Sequence, residues 1–148
     1  MLLKTALIVV LLSSLMGPLS GRAAHYSPSW GDWRCPPTQK CGIAARQGVQ
    51  VPAGYTPIAH WDCRSLGRRG SLWLDGRGPL RVIVADCTAA EDLETVLRRG
   101  IVAEVPYAVA VEYGFAGGSI DAVLILETAT SPPARWSPLP PSQRCRPL

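Results

Sequence analysis

Residues 80–87 read Leu80-Arg81-Val82-Ile83-Val84-Ala85-Asp86-Cys87, and this run strongly favours a β-strand. Val and Ile fit a pleated, half-buried surface, so the run predicts a strand that ends in Asp-Cys. Runs of similar composition, separated by Gly, Pro and Asp, lie at residues 55–63, 71–74, 100–105 and 119–127. The pattern therefore predicts a mainly β fold built from short strands.

Two short helices are predicted between the last strands. Thr88 and Glu91 have the spacing of a capping box, and Gly100 would end that helix. Pro106 suits the first turn of a second helix. Because short strands expose their edges unless the sheet closes, we expect a small closed or nearly closed β-barrel with helical crossovers. A parallel α/β sheet is the alternative.

The first 24 residues have the features of a secretory signal peptide. Lys4 precedes an apolar stretch from Ala6 to Leu12, which is far shorter than the roughly 20 residues that a membrane-spanning helix needs. Residues 22–24, Arg-Ala-Ala, offer small side chains to signal peptidase, so cleavage after Ala24 is predicted. The sequence thus predicts a secreted protein, extracellular or periplasmic, without stable membrane insertion.

Composition divides the rest of the chain into three parts. Residues 25–54 are rich in Trp, Pro, Gly and Gln and predict a loop-rich segment. Residues 55–130 carry the strand-like runs and predict the β-barrel domain. Residues 131–148 contain many prolines and predict an extended tail.

The charge balance argues against nucleic acid as a partner. The 148 residues carry 15 Lys and Arg against 11 Asp and Glu. Loss of Lys4 and Arg22 with the signal peptide would reduce this small excess further, and no Lys/Arg block is longer than a pair. A nucleic-acid-binding protein needs a concentrated basic surface, which this composition does not predict.

The five cysteines all follow residue 24, where an oxidising compartment would let them pair. Cys63 and Cys87 each follow an Asp at the end of a strand-like run, and we expect them to form one disulfide. Cys35 and Cys41 would close a second, small loop. Cys145 would then remain as a free thiol or form an intermolecular disulfide.

No cofactor is predicted. The chain has no Cys-x-x-Cys, and its two histidines lack the spacing of a zinc site. An alternative is a copper site formed by His60 and a new N-terminal His25. Motifs of serine hydrolases, nucleotide-binding proteins and zinc proteases are absent from the sequence.

Residues 81–87 and 100–110 together resemble the second half of double-psi β-barrel domains, the superfamily of rare lipoprotein A-like proteins, barwin and the expansins. In these families a strand ending in Asp precedes a hydrophobic-hydrophobic-Asp-Leu-Ser segment, an Ala-rich helix and a final strand. Leu66-Gly67 is similar to their Leu-Pro-x-Gly turn, and residues 120–126 are similar to their closing strand. The resemblance implies a small six-stranded double-psi-like β-barrel with two short helices.

The same resemblance implies a groove that binds extracellular polysaccharide or peptidoglycan. Lytic members use the Asp of the Asp-Leu-Ser segment as catalytic acid, and Glu104 stands at that position here. Asp86 stands where the family has its strand-terminal Asp, so one carboxyl group could hold a proton while the other stays ionised. The predicted catalytic residues are therefore Glu104 and Asp86. The predicted substrate-binding residues are Trp30, Trp33, His60 and Asp62.

Each of these side chains also has a structural interpretation. Asp62 and Asp86 follow strands, where a carboxylate often accepts backbone N–H bonds in a turn. Three functions remain open: a secreted glycan- or cell-wall-binding protein, which is favoured; a lytic transglycosylase-like enzyme that uses Glu104 with help from Asp86; and an exported structural or protein-binding module that acts through its tail and Cys145.

Overall fold

The computed structural model of the chain describes residues 17–28 and 48–128. Its elements are, in chain order, β1 (Leu19–His25), β2 (Thr56–His60), β3 (Arg69–Leu74), β4 (Arg77–Cys87), α1 (Leu93–Arg98), β5 (Ile101–Val105), α2 (Tyr107–Tyr113) and β6 (Ile120–Leu126). The strands close into a barrel in the order β1-β5-β2-β4-β3-β6. The predicted mainly β, six-stranded closed barrel with two helices is confirmed, and the alternative of a parallel α/β sheet is wrong.

Two pairs of neighbouring strands are parallel. These are β1 with β5 and β2 with β4, whereas the other neighbours are antiparallel. The core lies inside the barrel, where alternate strand residues such as Ile58, Leu72 and Leu124 are fully buried. Because side chains alternate along a strand, the residues between them face the outer surface of the barrel.

The first strand, β1, consists of small and polar residues (LSGRAAH) that composition does not identify as a strand. Its neighbours require small residues, since a Cβ atom on Gly21 would collide with the carbonyl oxygen of Gly100 and lie 2.7 Å from Cγ1 of Val102. Ala23 on the same strand is fully buried in the core. The strand closes the barrel by pairing with β5 on one side and β6 on the other.

The position of β1 affects two predictions, the signal peptide and the bounds of the barrel domain. All of the strand except His25 lies within residues 1–24, for which a signal peptide is predicted, and the barrel includes residues outside the predicted range 55–130. Cleavage after Ala24 would leave only His25 of this strand. The cleavage point itself stays a prediction.

A two-residue turn joins β3 to β4. Asp75 and Gly76 both have positive φ, 51° and 70°, and Leu74 pairs with Arg77 across them. Asp-Gly favours this turn because both central residues must be left-handed, and its twist matches that of the strands.

The predicted disulfide between Cys63 and Cys87 is confirmed, with a Cα–Cα distance of 5.0 Å. It ties the 3-10 helix Cys63–Ser65, which follows β2, to the end of β4. Cys35, Cys41 and Cys145 lie outside the described residues.

One helix start was predicted correctly and the other was not. The helix predicted after Pro106 is α2, which ends at Gly114 with φ 81°. The capping box at Thr88 is wrong, because α1 begins only at Leu93 and Asp92 occupies its N-cap. Thr88 instead continues from β4, and its N–H donates to the carbonyl oxygen of His60 at 3.1 Å. Within the two described ranges, neither helix is long and apolar enough to cross a bilayer.

Candidate functional site

Two carboxyl groups lie in one row across the outer surface of the barrel. Ala59 on β2 pairs with Glu104 on β5 and with Asp86 on β4, and Ala24 on β1 pairs with Glu104 from the other side. Paired residues point to the same face of a sheet, so these four residues share one surface. We call them the carboxylate row. Two strand spacings, about 10 Å, separate the Cα atoms of Glu104 and Asp86, with only a methyl side chain between them.

A β-bulge places Asp86 in this row. The register of β2 with β4 shifts between Ile58, which pairs with Val84, and Ala59, which pairs with Asp86. Ala85 is therefore the extra residue. Ile58 and Val84 belong to the core, whereas Asp86 shares the face of Ala59. Bulges re-aim side chains in this way, and here the shift moves a carboxylate from the core side to the outer side.

Asp86 is deeply buried in the row, with 1% of its surface exposed. The hydroxyl group of Tyr26 donates to its Oδ2 at 2.8 Å, and the backbone N–H of Cys87 donates to its Oδ1 at 2.9 Å. A buried carboxylate needs such donors, since burial of an unpaired charge is costly. Asp86 is therefore too buried to contact a ligand, and it can affect the site only through its charge.

Glu104 is the accessible carboxyl group of the row, and it is only partly buried. Burial raises the pKa of Glu104, and the negative charges of Asp86 and Asp92 raise it further, against the opposing charge of Arg99. Glu104 therefore keeps its proton to higher pH than a free glutamate. A protonated carboxyl group can both donate and accept a hydrogen bond.

His25 fixes the end of β1 next to the row. The backbone N–H of Gly117 donates to its Nε2 at 2.8 Å, so the ring proton lies on Nδ1, which donates to the carbonyl oxygen of Tyr26 at 2.9 Å. Its ring packs edge-on against Tyr107, with centroids 5.3 Å apart. Both ring nitrogens of His25 are thus engaged with the backbone. Among the described residues, no group of three or more His, Cys, Asp and Glu side chains is arranged to hold a metal ion.

Two of the predicted substrate-binding residues, His60 and Asp62, are held by hydrogen bonds within the fold. His60 is 1% exposed, and its Nδ1 donates to the carbonyl oxygen of Val102 at 2.7 Å. Burial lowers the pKa of His60, so the ring is neutral at pH 7. Asp62 is the N-cap of the 3-10 helix and accepts hydrogen bonds from the backbone N–H and the guanidinium group of Arg64. That guanidinium holds the pKa of Asp62 below its ordinary value.

Trp30 and Trp33 lie outside the described residues, so their predicted role in substrate binding stays a prediction. Tyr26 is the site residue that the sequence did not indicate, because its position depends on a strand that composition did not identify.

The described residues also form a concave surface away from Glu104. It is a shallow cavity of about 530 Å³ lined by β1, β3 and β6, with Trp73, Val123 and Ile125 among its apolar residues. Ile125 is 38% exposed. This surface carries an aromatic ring but not the carboxyl pair, and we call it the Trp73 cavity.

No protein-family model and no curated protein matches the chain. Among solved structures, the chain is similar to the crystal structure of an apo expansin from Clavibacter michiganensis, with a TM-score of 0.50 and 21% identity over 78% of this chain and 52% of that chain. It is also similar to a mutant of that expansin in complex with cellohexaose, with a TM-score of 0.46 and 18% identity over 79% of this chain and 54% of that chain.

The chain spans about half the length of these expansin chains. The closed order of its six strands, its two parallel pairs and its likeness to the apo expansin agree. The protein has the double-psi β-barrel fold.

Proposed function

We propose that the protein binds an extracellular glycan through the carboxylate row, with Glu104 as the residue that contacts the sugar. The observation that carries this proposal is the register of Glu104 between Ala24 and Ala59. Glu104 is partly exposed, whereas its neighbours Ala24 and Ala59 are 8% and 1% exposed, so Glu104 is the side chain of the row that a ligand can contact. A sugar presents hydroxyl groups that both donate and accept hydrogen bonds, and a protonated Glu104 is complementary to them.

Binding is favoured over cleavage because only one of the two carboxyl groups is accessible. Hydrolysis of a glycosidic bond by two carboxyl groups requires both to reach the scissile bond. Asp86 is 1% exposed and is held by Tyr26 and the backbone of Cys87. It can influence Glu104 by its charge, but it does not reach a ligand in this conformation.

The raised pKa of Glu104 favours a second candidate function. A general acid must hold its proton near the working pH, and burial together with the charge of Asp86 acts in that direction. A lytic transglycosylase-like reaction on peptidoglycan would use Glu104 as the acid, with Asp86 assisting by its charge.

We also propose that the protein is exported. The disulfide between Cys63 and Cys87 supports this location, because such bonds persist in oxidising compartments outside the cytosol. An exported double-psi barrel would meet cell-wall polysaccharide or peptidoglycan as its partner, and the composition gives no reason to expect nucleic acid.

Co-sedimentation tests this proposal directly. The purified protein is incubated with insoluble peptidoglycan and, separately, with cellulose, and both the pellet and the soluble products are analysed. We expect the protein to sediment with at least one glycan without releasing sugar products, and Glu104→Ala to weaken sedimentation, because alanine removes both the donor and the acceptor. Asp62→Asn is the matched control, because Asp62 bonds Arg64 outside the row, and it should sediment like the wild type.

The other outcomes separate the alternatives. Soluble anhydro-sugar products that disappear in Glu104→Gln but not in Asp62→Asn would establish the transglycosylase-like enzyme. The absence of both sedimentation and products would contradict both glycan functions and leave the exported structural or protein-binding module.

A further inference from the structure

Two arginine side chains contact one tyrosine ring just before β2. The Cζ atom of Arg69 lies 5.2 Å from the centroid of the Tyr55 ring, and the Cζ atom of Arg81 lies 5.1 Å from it. A guanidinium group within about 6 Å of an aromatic centroid is attracted by the ring. Tyr55 therefore holds two positive charges together, and we call Arg69 and Arg81 the arginine pair.

The arginine pair lies on the outer surface of the barrel. Arg69 alternates on β3 with Gly70, which is buried, so its side chain points outward. Ser71 points the same way and pairs with Arg81 on β4. Both arginines are exposed. A ligand can therefore approach the two guanidinium groups from solvent.

The backbone before β2 fixes the arginine pair in place. The N–H of Tyr55 donates to the carbonyl oxygen of Pro52 at 3.1 Å, which closes a turn. Gly54 in this turn has a φ of 78°, and a Cβ atom there would lie 2.5 Å from Nη2 of Arg81. Glycine thus leaves the space that the guanidinium group of Arg81 occupies.

The arginine pair has no carboxylate partner among the described residues, whose ion pairs involve other arginines. Glu127 is bonded to this part of the sheet, because its N–H donates to the carbonyl oxygen of Arg69 at 2.9 Å, but its side chain forms no ion pair there. Of the 11 acidic residues of the chain, only Asp32 lies outside the described ranges. Two positive charges held at one ring repel each other, and an anion bound to both would turn this repulsion into attraction.

The arginine pair and the carboxylate row lie at opposite ends of the parallel strands β2 and β4. Tyr55 directly precedes β2, and Ala59 of the row lies further along the same strand, at a distance of about 13 Å. The two surfaces are therefore distinct, and an inference about the arginine pair does not depend on the proposed function.

We propose that the arginine pair binds the carboxylate groups of an acidic polysaccharide. The planar guanidinium group presents parallel N–H donors that match the two oxygens of a carboxylate. A polyuronate carries one carboxylate on each sugar, so neighbouring sugars suit two guanidinium groups held at one ring. The hydroxyl group of Ser71, next to Arg81, is complementary to the hydroxyl groups of a sugar. A densely charged phosphate polymer fits less well, because two arginines do not form the concentrated basic surface that it requires.

NMR of the arginine side chains tests this proposal in the full-length wild-type chain. The Nε–Hε signals are followed while hexagalacturonate is added and, separately, while its methyl ester is added, which has the same sugars without the charges. We expect the signals of Arg69 and Arg81 to shift with hexagalacturonate only. Arg98, in the last turn of α1, is the internal control, and its signal should stay in place. Equal shifts with the ester, or no shift of the arginine pair with hexagalacturonate, would overturn the proposal.

Variants measure the contribution of each guanidinium group. Arg69→Gln and Arg81→Gln should each raise the Kd for hexagalacturonate by about two- to fivefold, which is the range of exposed ion pairs. Arg98→Gln removes the same charge elsewhere and should leave the Kd unchanged. An equal rise in Arg98→Gln would show attraction by net charge alone and overturn the proposal. Tighter binding of linear polyphosphate than of hexagalacturonate would show that the assignment to carboxylates is wrong.

This result is separable from the glycan experiments on the carboxylate row. A chain that binds hexagalacturonate at the arginine pair but binds no glycan at the row would refute the proposed function only. Binding of a neutral glycan at the row, without any response of the arginine pair to hexagalacturonate, would refute the present inference only.

Discussion

Removal of residues 1–24, the cut that the signal-peptide pattern predicts, would delete nearly the whole of β1. The truncated chain would begin at His25, the last residue of the strand. It would lose Ala23, which is fully buried, and Ala24, which borders Glu104 in the carboxylate row. The edges of β5 and β6 would then be unpaired, and the barrel would be open.

The structure sets the size of the expected effect. Register pairs join β1 to β5 at Arg22, Ala23, Ala24 and His25, and they join β1 to β6 along residues 19–23. The truncated chain keeps His25, so eight of these pairs are lost. At about 0.5–1.5 kcal/mol net for each backbone hydrogen bond and about one bond for each pair, the loss is roughly 4–12 kcal/mol. This equals much of the roughly 5–15 kcal/mol by which a small domain is stable. We therefore expect the chain that begins at His25 not to fold into a stable barrel.

The assay compares two chains by circular dichroism and urea unfolding: one begins at Gly17 and retains β1, and the other begins at His25. The first should show a cooperative transition and the second should not. If both chains unfold with the same midpoint, β1 is not required and the reasoning is refuted. N-terminal sequencing of the exported protein gives a second readout, because a processed chain that keeps the barrel must begin at or before Leu19.

Three further predictions concern stability. Burial and the charge of Asp86 raise the pKa of Glu104 in the folded chain, so the contribution of Glu104 to stability is complete below the ordinary pKa of glutamate and is lost as the pH rises through the folded pKa. Glu104→Gln should therefore match the stability of the wild type at about pH 3 and be more stable than the wild type at about pH 7. Urea midpoints that are equal for the two proteins at both pH values would contradict this. Replacement of both Cys63 and Cys87 by Ser should lower the free energy of unfolding by about 3.5 kcal/mol, since the bond closes a loop with a sequence separation of 24; an unchanged thermal midpoint would show that the loop entropy is irrelevant. Gly21→Ala should cost about 1–3 kcal/mol because its Cβ meets the backbone of Gly100, whereas Gly17→Ala, which meets no atom within 4 Å, should leave the midpoint where it is.

Much of the fold could be predicted from the sequence, because the amino-acid composition of most strands is typical of β-strands. The predicted runs coincide with β2 to β6 within a few residues, and the proline and glycine around α2 mark its ends. The strand β1 could not be identified in this way. The backbone of β5 lies so close to β1 that only small side chains such as glycine and alanine fit there. The Val and Ile residues that usually indicate a strand are therefore absent from β1.

The site was predictable in its residues but not in its geometry. Glu104 and Asp86 follow from the resemblance, yet their placement in one row depends on a one-residue bulge at Ala85, and composition does not reveal a bulge. The different exposure of the two carboxyl groups depends on long-range contacts such as that of Tyr26. The same holds for His60, which is predicted as a substrate-binding residue, whereas in the structure it is buried and bonds the backbone of Val102.

Residue-resolved NMR with a soluble cell-wall oligosaccharide tests most directly whether the glycan binds at the carboxylate row. The carboxylate row is the expected binding site, and the Trp73 cavity is the internal control. The account predicts that titration of the glycan shifts the backbone amide signals of Ala24, Ala59 and Glu104 and leaves those of Trp73 and Val123 in place. Shifts confined to the Trp73 cavity, or the same shifts in Glu104→Ala as in the wild type, would contradict it.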